Sequence, residues 1–131
     1  MDDPIWISKE LAIAIHKRQL AEHGGADGIR DMGLLESALA RARQRFAYED
    51  PTPTIPALAA AMAYGIARNH AFIDGNKRTA MTAAIVFLRL NSVEPAPDSD
   101  GWEALVLDVA ASRLDRAGTT MRLKALLERK R

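Results

Sequence analysis

The sequence predicts an all-α protein, a compact single-domain bundle of five to six helices. Apolar residues recur at helical spacing along most of the chain, and alternating strand patterns are almost absent. Glycine and proline divide these segments with short connections. The chain has 131 residues, 48% of them apolar, and a domain of this size buries about two-thirds of its unfolded surface. We therefore expect residues 1–131 to form one domain.

The first helix is expected over residues 9–22. Ser8 is suited to cap its start, and Gly24 with Gly25 ends it. His16 interrupts the apolar face of this helix. With three histidines and no cysteine in the chain, a structural role for His16 is favoured over a zinc site.

A second helix is expected over residues 32–45, with Asp31 as its cap. Residues 47–56 follow it, and their three prolines are incompatible with a regular helix or a central strand. Two interpretations of this Pro-rich segment stay open. It is either a plain connector or a flap over a functional site that receives a target.

The remaining helices are marked by composition and caps. Residues 56–68 and 79–90 are alanine-rich and apolar, which is typical of buried central helices. Further along, Ser99 or Asp100 is suited to cap a helix over residues 102–112. Residues 113–118 break the pattern, and a final helix is expected over residues 119–129.

The two central helices are joined by a loop within the sequence N-H-A-F-I-D-G-N-K-R-T-A, residues 69–80. Asp74-Gly75 is a turn signal and Asn76 a good N-cap, so the next helix should begin near Lys77 with its first N–H groups free. Free amides at a helix start attract anions.

Lys77 and Arg78 occupy the first turn of that helix, where the helix dipole disfavours each cation by roughly 0.3–1 kcal/mol. A sequence that breaks a local rule in a well-ordered region usually does so at a functional site. A bound phosphate would turn this conflict into an attraction.

The other residues of the loop suggest what it does. The His70 imidazole, beside an anion site, suits a general base that takes a proton from a hydroxyl as phosphorus is attacked. Asp74 offers a hard oxygen for Mg²⁺. Phe72 and Ile73 are expected to anchor the loop in the core.

An ordinary helix–loop–helix turn is the alternative. In that interpretation His70 closes one helix, Asp74 and Asn76 cap the next, and Lys77 and Arg78 are simply solvated. Each residue alone fits this alternative better. The combination favours a site, because chance rarely assembles a base, a carboxylate, a glycine turn and two cations at one helix start.

Residues 70–78, H-A-F-I-D-G-N-K-R, resemble the signature of the Fic/Doc superfamily, specifically its Doc (death-on-curing) toxin branch. The broader Fic pattern has Gly at the position of Lys77 and a second Arg at the position of Met81, and Doc toxins share both departures. Further Doc-like segments lie at residues 24–25, 28–40 and 46–49.

The resemblance implies the toxin of a toxin–antitoxin pair. Such a toxin transfers the γ-phosphoryl group of ATP to a Ser/Thr hydroxyl of a translation factor, elongation factor Tu being the family's known target. It is held by the C-terminal segment of an antitoxin, which folds onto it as a helix. The resemblance assigns His70 as base, Asp74 to Mg²⁺, and Gly75, Asn76, Lys77 and Arg78 to the ATP phosphates.

Two other functions stay open. The first is transfer of AMP, as in most Fic enzymes, and the second is a catalytically silent helical module that binds a partner. Lys77 favours the kinase over the AMP transferase, since a lysine fills space where glycine would let phosphates lie against the backbone.

Composition sets the remaining expectations. The formal net charge is +1, and the basic end L-L-E-R-K-R is weak support for nucleic-acid binding, so no direct nucleic-acid contact is expected. The first residues lack the apolar core of a leader, and no apolar run is long enough to span a bilayer. We expect a cytoplasmic protein without a membrane segment.

Overall fold

The computed structural model describes residues 3–95 and 99–128, which form six α-helices. The helices are α1 Lys9–His23, α2 Met32–Tyr48, α3 Ile55–Asn69, α4 Asn76–Leu90, α5 Ser99–Ala110 and α6 Arg116–Glu128. No strand forms in these two ranges, although Ile29 and Phe72 make one isolated antiparallel bridge. The prediction of an all-α bundle is confirmed.

Helix α3 is the centre of the bundle and packs against α2, α4, α5 and α6. Its buried face is built from small side chains, so neighbouring helices approach it closely. At Gly65 an added Cβ would lie 3.1 Å from the Ala38 Cβ of α2. Six alanines of α3 are buried: Ala57, Ala59, Ala60, Ala61, Ala63 and Ala67.

Helix α4 is the second central element and packs against α1, α3 and α5. Phe87 and Leu88 of α4 are fully buried, and Trp6 stacks on Phe87 with 5.7 Å between ring centroids. The two helices that flank the loop at residues 70–75 are therefore both fixed by the core. Both ends of the loop are therefore held in place.

The length of α3 separates the two segments that sequence reasoning singled out. At about 1.5 Å per residue, its 15 residues extend about 21 Å. His70 follows its last residue, whereas the Pro-rich segment precedes its first. The Pro-rich segment thus lies at the far end of the bundle from His70, which favours the connector over the flap.

Several helix boundaries differ from prediction. Helix α2 continues to Tyr48, so the irregular connector is only residues 49–54. Helix α6 begins at Arg116, three residues early, because the Asp115 carboxylate caps it by accepting the Gly118 N–H at 2.7 Å. Helix α5 begins at Ser99 rather than Trp102.

Some predictions fall on residues 96–98 and 129–131. The segment just before α5 and the basic end of the chain lie outside the described residues. Within the described ranges, none of the helices is both long and apolar enough to cross a membrane.

Candidate active site

The loop at residues 70–75, called the catalytic loop below, begins with a left-handed residue. His70 has φ 51° and ψ 48°, and it ends α3. This conformation costs a non-glycine residue about 1–2 kcal/mol, so surrounding contacts must hold it. The His70 side chain is exposed, and the left-handed backbone sets the direction in which the imidazole projects from the helices.

Arg30 holds the start of the catalytic loop. Its Nε donates to the His70 carbonyl at 2.8 Å and its Nη2 donates to the Asn69 carbonyl at 3.2 Å. These carbonyls belong to the end of α3 and have no partner in their own helix. A cation at this end also complements the helix dipole. Arg30 therefore fixes the peptide group on the C-terminal side of the proposed base.

The connector between α1 and α2, residues 24–31, runs alongside the catalytic loop, and we call it the strap. The backbone N–H groups of Arg30 and Asp31 both donate to the Ala71 carbonyl, at 2.8 and 3.0 Å. The Ile73 N–H donates to the Gly28 carbonyl at 3.1 Å. The strap thus pairs with the catalytic loop as a short stretch of sheet would, without becoming a strand.

The end of the catalytic loop is held through Asp74. The buried His16 ring of α1 lies with Nε2 2.7 Å from the Asp74 carbonyl oxygen. The Asp74 carboxylate accepts two backbone N–H groups, from Gly75 at 2.9 Å and from Ala26 of the strap at 3.3 Å. His16 is thus structural, as expected, and the orientation of the carboxylate is set by its neighbours.

The aromatic anchor of the loop is Phe72, which is 1% exposed and stacks on His16 with 3.8 Å between ring centroids. The prediction for Phe72 is confirmed. The prediction for Ile73 is wrong, because its side chain is 56% exposed. Successive residues of an extended segment point to opposite sides, so only one of the two could face the core.

Asn76 does not cap α4 as predicted. It is the first residue of the helix, the capping position is held by left-handed Gly75 (φ 78°), and no side chain caps the helix. The buried Asn76 amide instead bonds Phe72, with Oδ1 accepting its N–H at 3.0 Å and Nδ2 donating to its carbonyl at 2.9 Å. This side chain braces the loop, so only its backbone N–H is offered to an anion.

The start of α4 combines free donors with free charge. The first N–H groups of a helix, here those of Asn76, Lys77 and Arg78, have no acceptor in their own helix. Lys77 and Arg78 are exposed and form no ion pair with any described carboxylate. Together they provide the positive surface that the sequence predicted.

These groups surround one cavity of about 250 Å³. Its lining is His70, Ile73, Asp74, Gly75, Asn76, Lys77 and Arg78. All six predicted site residues therefore lie on one concave surface. A neighbouring cavity of about 150 Å³ shares Lys77 and Arg78 and continues between α4 and α5 along Met81, Val106 and Leu107.

Asp74 is the carboxylate that a metal could use here. No group of three or more potential ligand side chains (His, Cys, Asp, Glu) occurs in residues 3–95 and 99–128. A dedicated protein cage is not what Mg²⁺ requires, since it commonly uses one or two carboxylates, several waters and the substrate phosphates. A single exposed carboxylate beside free helix amides and two cations is compatible with such coordination.

Sequence reasoning missed the strap and Arg30. The available signals were Gly25 and Gly28, which were interpreted as part of a helix end and of Doc-like segments. Both have positive φ, and a Cβ at Gly25 would lie 2.9 Å from Asp74 Oδ2. Gly24 already ends α1, so the glycines that follow it indicate close approach of another segment.

The fold and the site together define a helical protein whose two central helices present a histidine and a helix start with free N–H groups at the two ends of one short loop. The chain belongs to the Fic/DOC family, whose model matches residues 6–88. It is similar to the "Protein kinase doc" of Escherichia phage P1, with 40% identity over 88 residues that cover 67% of this chain and 69% of that protein. It is also similar to the "Toxin Doc" of Mycolicibacterium smegmatis, with 47% identity over 77 residues, 59% of each chain.

Proposed function

We propose that this protein is the toxin of a toxin–antitoxin pair and a kinase that transfers the γ-phosphoryl group of ATP to a Ser/Thr hydroxyl of a translation factor. Elongation factor Tu is the target that family resemblance suggests. The observation that carries the proposal is the single cavity that brings His70 together with the free amides and cations at the start of α4. The names of the two relatives, a protein kinase and a toxin, point the same way.

The exposed His70 imidazole is the general base. It accepts the proton of the target hydroxyl, whose oxygen forms a bond to the γ-phosphorus. The bond from that phosphorus to the β–γ bridging oxygen breaks, and ADP leaves. His70 is suited to this role because Arg30 fixes its backbone while its side chain stays free of protein partners in the described ranges.

Charge on the transferring group is met at the start of α4. The backbone N–H groups there and the Lys77 and Arg78 side chains offer donors to the phosphate oxygens. Because these donors are already oriented by a helix fixed in the core, little reorganisation accompanies the reaction. When bound, Mg²⁺ would neutralise phosphate charge, and Asp74 is the residue we expect to hold it.

The choice of phosphorus rests on Lys77 and Met81. Lys77 is the second residue of α4 and lines the cavity, so its side chain occupies space that glycine would leave to a phosphate. Met81 supplies an apolar wall to the neighbouring cavity, where an arginine would add a phosphate contact. Both features favour presentation of the γ-phosphate over transfer of AMP.

An antitoxin partner and action in the cytoplasm, where translation occurs, belong to the same proposal. The cavity that Glu49 lines, at the start of the connector, is also lined by three arginines, Arg41, Arg45 and Arg116. The apolar surface near the site lies instead between α4 and α5, where Leu107 is 48% exposed. We therefore place the antitoxin helix across α4 and α5, next to Lys77 and Arg78.

Labelling experiments test the function. The purified protein is incubated with a bacterial lysate and Mg²⁺ together with either γ-³²P-ATP or α-³²P-ATP, and the proteins are separated. We expect label from γ-³²P-ATP alone on one lysate protein, and none with His70→Ala, since loss of a general base typically costs about 10²–10⁴-fold in rate. Label from α-³²P-ATP alone would identify an AMP transferase. A folded protein that transfers neither label would be a silent binding module.

A further inference from the structure

We propose that His16, on α1 and outside the sequence motif, is a positioning residue that holds the Asp74 end of the catalytic loop in its reactive geometry. The inference rests on the proposed function, because the loop must be catalytic for its position to affect a rate. His16 lies 54 positions before His70 in the sequence, yet its ring touches the loop directly.

One buried ring contacts two residues of the loop and lies close to a third. It stacks on Phe72 with 3.8 Å between centroids and 7° between planes, and its Nε2 lies 2.7 Å from the Asp74 carbonyl. A Cβ added to Gly75 would lie 3.6 Å from the same ring. Since a carbonyl oxygen only accepts, Nε2 carries the hydrogen and donates it. The ring therefore fixes both the position and the orientation of the Asp74–Gly75 peptide, which precedes the start of α4.

Packing alone does not account for a histidine at this position. His16 is 1% exposed, and an apolar side chain of similar volume would fill the space without the cost of burying a polar ring. The polar atom is placed where it meets an otherwise unbonded carbonyl at the loop end. The hydrogen bond therefore accounts for a histidine here better than packing does, and its effect falls on Asp74 and the first amides of α4.

The consequence for catalysis is geometric. Rotation of the Asp74 peptide would turn its carboxylate away from the Ala26 and Gly75 N–H groups and shift the start of α4 relative to His70. A displacement of about 1 Å between reacting groups can lower a rate by about 10²-fold. We therefore expect a loss in kcat, with little change in KM for the protein target.

Three variants separate positioning from stability. His16→Leu removes the donor at similar volume, and His16→Gln restores an N–H donor without the ring. Ile15→Val trims a core side chain on the preceding residue of α1 and serves as the matched control. At a temperature where all are folded, we expect kcat to fall about 10-fold or more in His16→Leu and to recover largely in His16→Gln. Ile15→Val should lower Tm and leave kcat unchanged.

A second readout needs no activity. Amide hydrogen exchange without nucleotide should accelerate at Phe72, Ile73 and Gly75 in His16→Leu, and stay near wild type in His16→Gln and Ile15→Val. Loop exchange and kcat in His16→Leu that match Ile15→Val would overturn the proposal, as would a His16→Gln variant as impaired as His16→Leu. If wild-type protein transferred no label, the proposed function would fail, and exchange would still decide the role of His16.

Discussion

The two ends of α3 are built in opposite ways. At its C-terminal end the catalytic loop is held by the strap, residues 24–31, and by His16. At its N-terminal end the connector, residues 49–54, makes one side-chain hydrogen bond to the helix, the Thr54 hydroxyl accepting the Ala57 N–H at 3.3 Å. Prolines stiffen the connector from within, whereas glycines let the strap lie against another segment.

The helices that begin at these two places, α3 after the connector and α4 after the catalytic loop, also start in different ways. Helix α3 begins with a capping threonine and no charge in its first turn, which agrees with local rules. Helix α4 begins after a left-handed glycine without a side-chain cap and carries Lys77 and Arg78 against the dipole. One end is optimised for stability, and the other keeps donors and charge available for a ligand. Rigidity at the candidate site therefore comes from tertiary contacts rather than from stiff residues.

Gly28→Ala should produce the largest difference between the ends. Gly28 has φ 130°, a backbone conformation that strains any residue with a Cβ, so the substitution should cost roughly 1–3 kcal/mol. The added Cβ would also lie 2.7 Å from Ile73 Cδ1, but that exposed side-chain end can turn aside. Thr54→Ala, which removes the cap at the other end, should cost about 1 kcal/mol. Both should lower Tm, but only Gly28→Ala should reduce kcat, by about 10-fold or more. Equal kcat values in folded Gly28→Ala and Thr54→Ala would show that the strap does not position the loop.

Arg30→Gln should have the next largest effect. The substitution removes charged donors from the His70 and Asn69 carbonyls. Because the site is exposed, we expect the activation free energy to rise by about 1 kcal/mol, which lowers kcat about five-fold. The matched control is Arg45→Gln, which breaks the Arg45–Glu49 ion pair at the other end. Steady-state kinetics should show unchanged kcat for the control. A wild-type rate for Arg30→Gln would mean that the left-handed turn at His70 holds without it.

Lys77→Ala tests the start of α4. Without ligand it should leave Tm unchanged or higher, because it removes a cation that opposes the dipole by roughly 0.3–1 kcal/mol. Mg²⁺ and ATP should then raise its Tm less than they raise that of wild type. Thermal scans of Thr54→Ala give the opposite pattern as a control, a lower starting Tm with the full ligand-induced rise. Equal rises in Lys77→Ala and wild type would argue against a phosphate contact.

Glu49→Gln should have the smallest effect, at the connector. Hydrogen bonds from Arg45 lower the pKa of Glu49 below its ordinary value of 4.5. A lowered pKa stabilises the fold above pH 4.5, and that contribution disappears as pH falls through the folded-state value. Because the Glu49 side chain is 46% exposed, Glu49→Gln should lower Tm at pH 7 only slightly. In plots of Tm against pH, wild type and Glu49→Gln should converge at acid pH. The phosphoryl-transfer rate at pH 7 should stay unchanged.

The helices, the caps of the first two and the location of the candidate site could be predicted from the sequence alone. Ser8 and Asp31 cap α1 and α2 as predicted, because a cap bonds an N–H group only three residues away. The motif at residues 70–78 indicated the six candidate residues, and these line one cavity. Such features depend on residues that are close together along the chain, so the local sequence is enough to predict them.

Only the tertiary structure decided how the site is held. The Asn76 side chain satisfies Phe72 instead of capping α4, because the buried loop backbone needs both a donor and an acceptor. Arg30 meets His70 across 40 residues and His16 meets Asp74 across 58. The length of α3, about 21 Å, sets the Pro-rich connector apart from the site. These contacts depend on which helix ends the packed core brings together. They cannot be predicted from the pattern of any one segment.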